Sequence, residues 1–150
     1  MKNGADPQLH LGHIKPVIYD ISTRIWYGND DPWLSASALL LLDYGGTNTL
    51  VWADELLYSA AHGSNEALVT TLLNCYNANV NMRGLEGKTP ITAVVDRYDG
   101  NCDVAMVELL LAFGADPYLT DEYGQSAYTY AVEKNHQEVI ALIEKNSRYA

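Results

Sequence analysis

The chain has 150 residues, 48% of them apolar, with 19 acidic against 9 basic side chains and a formal net charge of −10. This is one domain's worth of material with apolar content enough for a continuous core, which excludes a disordered chain, and its negative field repels nucleic-acid phosphate and anionic lipid. The longest apolar run, Ala38 to Leu42, is too short to cross a bilayer, and Met1 to Pro7 has no apolar core behind its one basic residue, so no secretory signal is read there and a cytoplasmic protein is expected.

In chain order, Gly4-Ala5-Asp6-Pro7 looks like the closing phrase of a unit whose helices are missing. Pro16 to Tyr27 places Val17, Ile18, Ile21, Ile25 and Trp26 at helical spacing. Trp33 to Tyr44 supplies a second helix after the long connection Gly28 to Pro32, and Gly45-Gly46-Thr47-Asn48 closes it. Leu56 to His62 and Glu66 to Cys75 form the next pair, with Ala60-Ala61 small enough for close helix approach; Asn77 stands where a left-handed turn is needed, a position asparagine tolerates. In the third pair, Thr89 caps a helix from Pro90 to Arg97, with Pro90 in the first turn. Val104, Val107, Leu110 and Leu111 share a face of the helix from Val104 to Phe113, which Gly114 ends. The step from Asn77 to Gly114 is longer than that from Gly45 to Asn77, so the third unit carries an insertion, assigned to Tyr98 to Cys102. Ser126 opens the last pair, Tyr128 to Lys134 and Gln137 to Lys145, and the polar tail Glu144 to Arg148 suits an end unit that meets water.

Two phrases recur in these units: Gly114-Ala115-Asp116-Pro117, answered by Asn77-Ala78-Asn79-Val80-Asn81, and Gly87-Lys88-Thr89-Pro90-Ile91-Thr92-Ala93, answered by Gly124 to Ala131. They resemble the ankyrin repeat, a unit of about 33 residues with T-P-L-H and G-A-D signatures. The resemblance implies an all-α solenoid of stacked helix-turn-helix units, about four in number with the first degenerate, spanning roughly 12–47, 48–81, 82–117 and 118–150. It also implies a hairpin finger between units and a concave surface lined by the first helix of each pair, where ligands of the family generally lie. Thr89, Pro90, Gly114 and Ala115 are scaffold in that comparison.

Catalysis finds little support. His10 and His13 have metal-compatible spacing but no third ligand, Gly45-Gly46 follows a helix and lacks a phosphate-loop lysine, and His62 with Ser64 or Cys102 has nothing to orient the imidazole. No cofactor, metal or catalytic residue is assigned. Cys75 and Cys102 are expected to be free thiols. An enzyme using His62 remains a distant alternative, requiring a buried carboxylate partner and a pocket.

Carried over position by position, the resemblance puts Trp52 and Asp54 on one finger, Leu85, Glu86 and Lys88 on the next, and Glu122, Tyr123 and Gln125 on the third. His62, Asp96, Arg97, Glu133 and Lys134 fall at the ends of first helices. Trp52 and Tyr123 are the aromatic candidates for an interface anchor, and Trp52 can equally pack between units. The acidic residues around them describe a cleft for a basic protein partner. A second edge, opposite the fingers, would gather the inserted connections: Tyr27, Asp30, Asp31, Trp33, Tyr98, Asp99 and Asp103. The function expected is non-catalytic binding, and with it inhibition or sequestration, of a protein partner. A microbial immunity or antitoxin-type inhibitor of a basic toxin is the alternative. A purely structural repeat would instead show an apolar end face on the first unit.

Overall fold

The computed structural model describes residues 20–28, 31–44 and 49–149. Gly4 to Pro7, His10, His13, the first turn expected from Pro16, Asp30 and Gly45 to Asn48 lie outside these. Among the described residues the helices fall in four consecutive pairs: α1 (20–26) with α2 (Pro32–Tyr44), α3 (Thr49–His62) with α4 (Glu66–Cys75), α5 (Pro90–Val95) with α6 (Val104–Ala112), and α7 (Ala127–Glu133) with α8 (Gln137–Tyr149). Helix α3 packs on α2, α4 and α5, α5 packs on α6 and α7, and α8 packs on both α6 and α7. Paired helices stacked in two layers are the solenoid that the repeated phrases imply.

Local chemistry sets the ends of these helices. Thr89 accepts from the amide of Thr92 and precedes Pro90, Asp103 Oδ1 accepts from Met106 N at 3.1 Å, and Ser126 forms a capping box with Thr129. At the other ends Gly114 (φ 87°) and Asn77 (φ 52°) take the left-handed conformation expected of them. After Gly114 the amide of Ala115 returns to the Leu110 carbonyl at 3.0 Å. Between the layers, Leu56, Leu57, Leu72, Ile91, Met106, Leu110 and Ile143 are fully buried, each stabilising the stack by roughly 1.5–3 kcal/mol.

One expected element is absent. The finger assigned to Trp52 and Asp54 is the first part of α3, which begins seven residues before Leu56. No glycine interrupts 49–62, and helical spacing buries Trp52, Ala53, Leu56 and Leu57 together, so continuing the helix removes more apolar surface from water than a hairpin would. Trp52, at 7% exposure, is a core residue. The other two fingers form. Gly84 N bonds Lys88 O at 2.9 Å and Asp121 N bonds Gln125 O at 2.8 Å, while Glu122 N reaches Glu86 O at 3.1 Å and ties one finger to the next.

The first pair docks through a close backbone approach. A Cβ at Gly63 would lie 2.0 Å from the Ile25 carbonyl oxygen, so any side chain there drives α1 away from α3. Gly63→Ala is therefore expected to cost about 1–3 kcal/mol and to raise hydrogen exchange selectively across 20–28. An unchanged melting midpoint with unchanged exchange there would show that α1 is not seated on Gly63.

Candidate functional site

The middle of the concave side is closed by charge. Asp96, at the end of α5, accepts from Lys88 Nζ at 2.9 Å and from Lys134 Nζ at 2.7 Å, and Lys88 also pairs with Glu86. Lys134 continues to the Arg97 carbonyl at 3.2 Å, and Arg97 Nη1 donates to Ser64 Oγ at 2.8 Å, so one polar chain crosses three units. Burial raises the pKa of Asp96, but hydrogen bonds from Lys134 and Lys88 outweigh it and leave it below the ordinary value. Glu86, Lys88, Asp96 and Arg97 are thus brought together, yet as an internal network rather than as a free acidic cleft.

Beside it the third finger is braced from within. Asp121 Oδ1 accepts from the amides of Tyr123 and Gln125, both at 2.9 Å, and Oδ2 accepts from Tyr130 Oη at 2.8 Å. Gln125 Nε2 donates to Glu133 at 2.9 Å, and Tyr123 stands exposed at the tip with Glu122.

Toward the amino-terminal half the concave side opens. A groove of about 750 Å³ runs between α1, α3 and the segment Asn79 to Leu85. Trp26, Tyr27, Val51, Tyr58, Met82 and Leu85 give it apolar walls, and Asp54 and Glu55 add carboxylates. Its geometry is held from below. A Cβ at Gly84 would meet the Tyr58 ring at 2.7 Å, so glycine lets that ring lie flat against the finger, and Tyr58 Oη donates to Leu85 O at 3.4 Å. Burial pushes the Tyr58 phenol up to about 12. Asp54 Oδ1 accepts from Asn79 N at 2.6 Å, and Arg83 donates to the Gly87 and Thr120 carbonyls. Ser22, which also lines the groove, has a buried hydroxyl with no hydrogen-bond partner among the described residues.

His62 is a structural residue in this arrangement. Its ring stacks on Trp26 with centroids 3.4 Å apart and planes within 1°, and its Nδ1 lies 3.1 Å from the Trp26 carbonyl oxygen. Burial lowers its pKa below 6.5 despite that hydrogen bond. The partner is a backbone carbonyl, and no carboxylate hydrogen-bonds the imidazole among the described residues.

The second edge is only partly assembled. Asp31 Oδ1 caps Trp33 N at 3.0 Å, Asp99 Oδ1 accepts from Asn101 N at 3.1 Å, and Asp103 caps α6, so these carboxylates serve their own turns. Tyr98 borders a small cleft shared with Trp26, His62, Leu85 and Lys88, which puts it on the finger side rather than on the edge opposite. Tyr27 is on the groove, whereas Trp33 projects from α2.

Sequence reasoning misses Trp26, Tyr58 and Asp121. Trp26 and Tyr58 read as ordinary apolar positions within helices; Asp121 reads as one acid among many, although its place four residues before Gln125 matches the reach of a carboxylate bracing a turn.

Two outcomes follow. Asp96→Asn removes the carboxylate that neutralises two lysines and should lower unfolding free energy by about 1.5–3 kcal/mol in urea titration, while an unchanged midpoint would mean that the network adds nothing. For His62, the unfolded chain takes up its proton first as pH falls through 6.5, so stability is full above that value and declines below it. This decline should vanish in His62→Gln; stability that rises on acidification would show that the Trp26 ring favours the imidazolium.

A family profile described as Ankyrin repeats (3 copies) matches residues 56–149, from within α3 to the end of α8. The chain is 34% identical over 88 residues to the ankyrin repeat protein YahD of Escherichia coli (strain K12), covering 58% of this chain but only 44% of that protein. It is 35% identical over 85 residues to the Notch-regulated ankyrin repeat-containing protein of Homo sapiens, covering 57% of this chain and 70% of that one. An ankyrin repeat-containing protein of Treponema pallidum (strain Nichols) is 34% identical over 87 residues, 28% of its length. The chain thus spans less than half of the two bacterial relatives. Ankyrin repeats are generally non-catalytic protein-interaction modules. Stacked helix pairs, finger hairpins and the repeat match converge on one conclusion: the chain belongs to the ankyrin-repeat family.

Proposed function

We propose that this protein binds a partner protein in the groove between α1, α3 and the finger Arg83 to Lys88, and acts by occupying that partner's surface. The groove itself carries the reading: apolar and aromatic walls, a volume of about 750 Å³, and the carboxylates of Asp54 and Glu55 suit an extended segment that alternates apolar and basic side chains. Leu85, 65% exposed, is an apolar contact at its rim. Holding a partner in this way inhibits or sequesters it. An immunity-type inhibitor of a basic toxin is one form of this action, supported by the net charge of −10. The free thiols Cys75 and Cys102 support a reducing, cytoplasmic place of action.

Of the fingertip residues, Glu122, Tyr123 and Gln125 stand at the far side of the ion-pair network and belong to the rim of the same concave surface. Leu85→Asp should weaken binding of apolar-basic peptides at least tenfold in fluorescence polarisation, with the thermal midpoint unchanged. Added salt should slow association, because it screens the carboxylates. By contrast Trp52→Ala, in the core, should lower stability by about 3–5 kcal/mol. Peptide affinity indifferent to Leu85→Asp would move the site away from the groove.

A further inference from the structure

Helix α2 carries Asp43 as its single charge in 13 residues. One side of it faces the second unit: Ser35 Oγ accepts from Asn65 Nδ2 at 3.2 Å, Asp43 Oδ1 accepts from Tyr76 Oη at 2.7 Å, and Ala38 and Leu42 are buried. Trp33, Ser37, Leu40 and Tyr44 follow one another in steps of four, three and four, which sets them in a single stripe on the other side. Trp33 is 79% exposed, Leu40 57% and Tyr44 82%. Helix α8 is different, because it presents Glu138, Glu144, Lys145 and Arg148 to water. A contiguous exposed apolar stripe of this kind marks an interaction surface.

We infer that this stripe is a self-association surface, covered by α2 of a second copy of the chain running antiparallel about a two-fold axis. The stripe is self-complementary. An axis midway between Ala38 and Leu39 sets Trp33 opposite Tyr44 of the second copy and Ser37 opposite Leu40 of the second copy. Ring then meets ring at both ends, and a small residue receives a large one between them, as an isologous contact requires. Charge selects the same face. Two molecules of net charge −10 repel over most of their surface, but the stripe carries no ionisable group other than the tyrosine phenol, and the carboxylate of Asp43 is turned to Tyr76. Area sets the strength. Two rings of roughly 150–250 Å² each, with Leu40 between them, reach about half or more of the roughly 800 Å² per partner in a standard interface. The dimer is therefore weak and reversible. It also leaves the concave groove free, because the stripe and the groove involve different residues.

Sedimentation velocity of the full chain across the micromolar range should show a 16.6 kDa monomer passing to twice that mass as concentration rises. Ser37→Glu places two carboxylates inside the contact while touching nothing in the core, since Ser37 is exposed. It should abolish the dimer with the helical circular dichroism and thermal midpoint retained, and Leu40→Glu should do the same. A chain that stays monomeric at high micromolar concentration overturns the inference and leaves the stripe to a different protein or to another part of this chain. A dimer that survives Ser37→Glu also overturns it, by placing self-association elsewhere.

Discussion

The seating of α1 on α3 decides what this protein can offer a partner. It rests on two contacts with no slack: a backbone approach at Gly63 too close for any side chain, and the Trp26 ring lying parallel to His62 at 3.4 Å. Without them the groove would lose one wall. The four carboxy-terminal elements depend on redundant packing instead, since α5 touches α3, α6 and α7 and no single contact carries the stack.

Charge arranges the concave surface into two halves of different character. In the carboxy-terminal half, Glu86, Lys88, Asp96 and Lys134 neutralise one another, and their hydrogen bonds fix the mutual position of the third and fourth units. A partner arriving there would have to compete with ion pairs already made. In the amino-terminal half the walls are rings and aliphatic side chains, and apolar burial can contribute to binding without dismantling an internal contact. The excess of acid in the composition is therefore an uneven guide to where a basic partner would settle.

The apolar stripe of α2 and the groove involve different residues. Self-association through one leaves the other accessible, so a dimer would display two grooves.

Repeat order, helix caps and the left-handed stops at Asn77 and Gly114 are legible in the amino-acid sequence, because each depends on residues a few positions apart and on the steric preferences of one residue type. The same holds for the insertion after Arg97 and the polar face of α8. Tertiary structure alone decides that Trp52 is core rather than finger, since the helix it begins is favoured only by burial against neighbours distant in sequence. It alone shows Asp96 paired with Lys134 of the next unit, Tyr58 lying over Gly84, and Trp33, Leu40 and Tyr44 left uncovered. Pairing, overlap and exposure are relations between units, and a one-dimensional pattern records the side chains that enter them but not the distances at which they meet.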